Sequence, residues 1–115
     1  MDIQSHPCEA RPGVEVVAIS GRLDTGTADD ALNVMSEAME RSAAGIIIDI
    51  GGMEFVSSAG LRILLMTGKK ANALQKKMAI VRSRPQVYKI FKISALDKVL
   101  AFFDSEPEAL QALWP

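Results

Sequence analysis

The sequence predicts a single α/β domain: an N-terminal β-hairpin, then β-α repeats on a mixed, mostly parallel sheet. Three observations carry this. Two β-rich segments at the N-terminus flank Pro12-Gly13, the residue order of a type II turn, and together read as a hairpin. Three later apolar runs, at residues 46–50, 78–81 and 99–102, read as buried strands. Stretches with helical spacing separate them, and strands alternating with helices argue parallel pairing. Right-handed crossovers between neighbouring strands would put the helices mainly on one face.

The elements follow in order. Residues 2–9 form the first expected strand, and Pro7, which cannot donate to a ladder, assigns it to an edge. Residues 14–20 form the second strand and 24–26 a loop. Thr27-Ala28-Asp29-Asp30 has the pattern of a capping box, opening a helix whose apolar stripe is Ala28, Ala31, Leu32, Met35, Ala38 and Met39. Gly45 is its expected terminator. The run at 46–50 is expected to break at a Gly51-Gly52 turn, and a short apolar loop then leads to Ser57-Ser58. A second helix is expected from Ala59 to about residue 77, then a strand at 78–81. Ser83-Arg84-Pro85-Gln86 reads as another capping box, ahead of a short helix that faces Val87, Ile90 and Phe91 inward. After the strand at 99–102, Ser105-Glu106-Pro107-Glu108 caps a last helix with Ala109, Leu110 and Leu113 on its inner stripe.

Composition bounds the function. A chain of 115 residues, 49% apolar and 23% charged, fits one ordinary globular domain spanning 1–115. A net charge of −1 predicts no field for nucleic acid or an anionic membrane. The single cysteine, Cys8, excludes an internal disulfide and fits a reducing compartment. No apolar stretch approaches the ~20 residues of a membrane span. The N-terminus shows no basic segment followed by an apolar run, so the expected location is the cytoplasm. Catalysis is not expected: the only histidine, His6, lies in the edge strand, and no nucleophile elbow or phosphate-binding loop is present. No Cys/His cluster suits a metal, and no cofactor is expected.

The informative stretch is Ser57-Ser58, where a strand hands over to a helix. A serine oxygen there can cap free backbone N–H groups, and the same groups and the helix dipole would stabilise a phosphate on the hydroxyl. Spacing alone leaves both roles open for Ser58. On the following helix, Leu61, Leu64, Leu65, Gly68 and Ala71 form the expected core stripe. Ile63 and Met66 fall off it, in the row of Ala59 and Lys70, and read either as a partner surface or as a row covered by a neighbouring loop. Arg62 is a surface charge able to pair with an acidic partner.

Two motifs carry a family resemblance. Asp49-Ile50-Gly51 followed by Ser57-Ser58-Ala59-Gly60-Leu61, with Gly21-Arg22-Leu23-Asp24 earlier, resembles the STAS family of bacterial anti-sigma factor antagonists over essentially the whole chain. The resemblance implies that Ser58 is the phosphorylated serine, with Asp24, Ser57, Ala59 and Gly60 beside it. Partner contacts are expected at Leu61, Arg62, Ile63 and Met66. The implied partners are a serine-kinase anti-sigma factor with an ATPase-like fold, expelled by phosphorylation, and a resetting serine phosphatase. Neither direct nucleic-acid contact nor membrane insertion is implied. Ser57 replaces the family's usual acid and Ala59 its second hydroxyl. These departures keep a second reading open: a non-switching STAS accessory subunit of a lipid-transporting ABC system.

Overall fold

The computed structural model describes residues 1–115. Five strands lie in sequence order: β1 (Asp2–Pro7), β2 (Val14–Leu23), β3 (Gly45–Val56), β4 (Lys77–Val81) and β5 (Ala101–Phe103). β1 is an antiparallel edge strand; the other pairings are parallel. The hairpin turn is as expected: Gly13 has φ +92° and the Val14 N–H donates to Arg11 O at 3.3 Å.

Helices α1 (Ala28–Arg41), α2 (Ser58–Ala73) and α3 (Pro85–Ile93) cross over between successive parallel strands. They feed one core with Ile46, Ile48 and Ile50 of β3. The last helix, α4 (Glu106–Leu113), covers the opposite face, where Ile47, Ala79 and Val81 meet Ala109 and Trp114. The isoleucine run is continuous because both faces of β3 are buried. Cys8 lies in this second core; burial and the neighbouring Glu106 carboxylate push its thiol pKa up.

Several expectations are corrected. Gly51-Gly52 is not a turn: β3 runs on to Val56, with two one-residue register shifts against β2. The glycines allow close approach instead. A Cβ on Gly51 would lie 2.8 Å from the Arg82 guanidinium carbon, and one on Gly52 2.7 Å from Ser20 Cβ. Gly45 does not end α1 but starts β3, where a Cβ would meet Lys77 O at 1.9 Å.

The helix starts also differ. Thr27 precedes α1 but makes no side-chain cap, because its backbone is helical and its Oγ1 accepts from the Asp24 N–H at 2.9 Å. Ser83 caps nothing. Arg84 takes the N-cap position of α3, since the residue before Pro85 is forced to be extended. β2 reaches Leu23, α2 stops at Ala73, and β5 begins only at Ala101, after a 3-10 turn at Leu96–Lys98 that leaves Val99 exposed.

Candidate functional site at the β2, β3 and α2 junction

β2 and β3 end together, with Leu23 opposite Val56. The Ser57 N–H donates to Leu23 O at 2.9 Å, so the chain turns into α2 directly beside the end of β2. Gly60, in the first turn of α2, makes this junction possible. A Cβ there would lie 2.8 Å from both Leu23 O and Val56 Cγ2. The glycine is needed for this close approach, and its own burial follows from it.

Ser57, not Ser58, is the N-cap. Its backbone is extended, with ψ 176°, and its Oγ accepts from the Gly60 N–H at 3.3 Å. Ser58 is therefore the first helical residue. It is exposed, and its hydroxyl has no partner within the chain. The N–H groups of Ser58 and Ala59 belong to the four at a helix start that lack an intrahelical acceptor. No acid stands in the first turn of α2.

Asp24 lies at the same end of the sheet, one residue past β2. Its Oδ1 accepts from the Gly26 N–H at 3.0 Å and the Thr27 hydroxyl at 3.3 Å, so the carboxylate organises its own loop. Arg22 holds its guanidinium 4.2 Å above the Phe55 ring, with Nε 3.7 Å from Asp24 Oδ2. The sequence reading assigned no role to Arg22 or Phe55; their cross-strand register pairing needed the bulges of β3, which the sequence does not announce.

The faces of α2 are rotated from those expected. Gly60, Ile63, Leu64, Thr67 and Ala71 are buried, while Leu61 and Leu65 are half-buried. Ile63 is 3% exposed and so cannot meet a partner. It sits on the side of α2 that faces α1, where Lys70 Nζ reaches Glu40 Oε1 at 2.6 Å and holds the Glu40 carboxyl below its ordinary pKa. Thr67 was missed because a buried threonine looks polar. Its hydroxyl is satisfied by Ile63 O at 2.8 Å, one turn back. Met66 and Arg62 remain exposed on the outer side, Ala59 is half-buried, and Gly60 is buried.

Comparisons with known proteins place the fold. The STAS domain model matches residues 7–109. The chain belongs to the STAS family. This STAS domain is 32% identical over 106 residues to an anti-sigma F factor antagonist of Paenibacillus polymyxa, covering 91% of each chain. Among solved structures it is similar to an anti-sigma factor antagonist of Mycobacterium paratuberculosis, with TM-score 0.86 and 25% identity over 99% of this chain and 94% of that one. It shares the fold of Bacillus SpoIIAA in its phosphorylated form, with TM-score 0.70 and 20% identity over 96% and 98% of the two chains. Those relatives are regulatory antagonists by name.

Proposed function

We propose that this STAS domain is an anti-sigma factor antagonist of a partner-switching pathway, gated by phosphorylation of Ser58. Unphosphorylated, it binds a serine-kinase anti-sigma factor through the exposed start of α2, including Ser58, Leu61, Arg62 and Met66, and so releases the sigma factor. The kinase then phosphorylates Ser58 and the complex separates; a serine phosphatase resets it. The protein itself acts by binding, not catalysis, and Asp24, Ser57, Ala59 and Gly60 shape the acceptor's surroundings.

The observation that carries this reading is the state of the two serines. Ser57 is engaged as the cap, whereas Ser58 offers a free hydroxyl at a helix end with no acid to offset its positive dipole. A phosphate there adds about −1.5 to −2 charges where the fold accommodates them and where a partner shaped for a hydroxyl does not. The names of the relatives support the antagonist role, and SpoIIAA, which shares the fold, occurs in a phosphorylated form.

The test is to incubate the protein with its anti-sigma kinase and ATP and to map the modified residue. Phosphate is expected on Ser58. Phosphate mainly on Ser57, or none from a kinase active on another substrate, contradicts the proposal.

A further inference from the structure

The formal charge of −1 conceals a steep asymmetry. Residues 55–96 hold nine of the chain's thirteen lysines and arginines and none of its fourteen acids. That span comprises α2, β4 and α3. On α2, Arg62, Met66 and Lys69 follow at helical spacing and are all exposed, Met66 to 47%. On α3, Lys89, Lys92 and Ile93 share one turn and are exposed, Ile93 to 87%. Both helices lie on the same side of the sheet and feed the same core.

The four cations on these rows are unpaired. The chain's ion pairs join Arg22 to Asp24, Arg41 to Glu15, Lys70 to Glu40 and Arg82 to Asp49. Each row thus sets one large apolar side chain in water beside two free positive charges. The surface that best covers them is apolar at its centre and acidic at its rim.

We infer that the outer face of α2 and α3 is a docking surface for an acidic protein surface. Met66 and Ile93 are its apolar anchors, and Arg62, Lys69, Lys89 and Lys92 are its electrostatic rim. This deepens the functional reading above by giving the chemistry of the partner, and it rests on that reading only for the partner's identity. The basic face is bounded. α1 exposes Asp29, Asp30 and Glu37 on one side, and Asp97 and Asp104 follow α3 on the other. An extended polyanion such as RNA, or a broad anionic bilayer, would meet those acids; a compact acidic protein surface fits between them. The switch gains a physical account as well. Ser58 precedes Arg62 by one turn, so a phosphate on it enters this face and weakens its attraction for an acidic partner.

The test has two arms. In the first, the isotope-labelled protein is titrated with a synthetic amphipathic helix bearing leucines on one face and glutamates on the other. A short single-stranded RNA and phosphatidylserine vesicles serve as alternative probes. Amide shifts confined to α2 and α3 are expected, with affinity falling as salt rises and dropping about tenfold or more in K69E/K92E at low salt. D29K/E37K should bind no worse than wild type. No shifts, or shifts mainly elsewhere, overturn the inference. Tighter binding of RNA or vesicles than of the acidic helix overturns the choice of a protein partner.

In the second arm, the association rate with the anti-sigma kinase is measured for wild type and K69E/K92E. A slower low-salt rate in the variant is expected, converging on wild type at high salt. Equal rates overturn the docking surface while leaving the functional reading intact. A kinase that ignores wild type while the acidic helix binds overturns the functional reading and leaves the surface standing.

Discussion

At the start of α2 the Ser57 hydroxyl accepts from the Gly60 N–H at 3.3 Å; at the start of α4 the Ser105 hydroxyl accepts from the Glu108 N–H at 3.3 Å. The caps match, but the residues after them do not. α4 places Glu106 and Glu108 in its first turn, where they offset the positive helix end. Glu108 Oε2 also accepts from the Asp104 N–H at 3.2 Å, which closes the motif on itself. In α2 the position of Glu106 is taken by the exposed Ser58 and that of Glu108 by Gly60. α4 therefore begins with its charge already answered, whereas α2 begins with an open positive end pressed against the strands. A serine cap alone does not mark a site. A missing acid, a free hydroxyl and a forced glycine together set the start of α2 apart from that of α4.

The largest effect that probes this difference lies at the third helical position. Gly60→Ala drives a methyl into Leu23 O and Val56, and should cost about 1–3 kcal/mol in urea denaturation. Glu108→Ala, its counterpart on α4, loses a charge at a helix end and should cost only about 0.3–1 kcal/mol. Equal losses would mean that the junction at β2 and β3 is not tight, and the contrast would fail.

Next come the caps. Ser57→Ala and Ser105→Ala should each cost about 0.5–2 kcal/mol, with little difference between them. A much larger loss for Ser57→Ala, in the same denaturation experiment, would show that Ser57 does more than cap α2.

The sequence made the hairpin, the edge position of β1 and the crossover helices legible, because apolar runs and helical stripes report burial directly. It misled at Gly51-Gly52, where the punctuation of a turn marks an approach by Arg82 and Ser20 from other elements. Capping boxes read correctly at Ser105 and failed at Thr27 and Ser83. A motif fixes which atoms are available, but the backbone angle of the preceding loop decides whether they are used. At the site, the serine pair was legible but its division of labour was not. The helix begins one residue earlier than the apolar periodicity suggests, which hands the cap to Ser57. Ile63 was misplaced because packing of α1 against α2 widens the buried arc beyond the single stripe that spacing describes. The basic character of α2 and α3 was written in the sequence and hidden by averaging over the whole chain.

The central claim is that a negative charge on Ser58 suits the fold and ends the partnership. It is tested most directly by preparing the protein with phosphoserine at position 58 and comparing it with the unmodified chain, in a thermal melt and in a titration against the anti-sigma kinase. The modified protein should melt no lower, gaining up to about 0.3–1 kcal/mol from the uncompensated helix end, and Ser58→Asp should follow it. Its affinity for the kinase should fall about tenfold or more. A phosphorylated protein that binds the kinase as tightly as the unmodified one, or that melts well below it, would contradict the account.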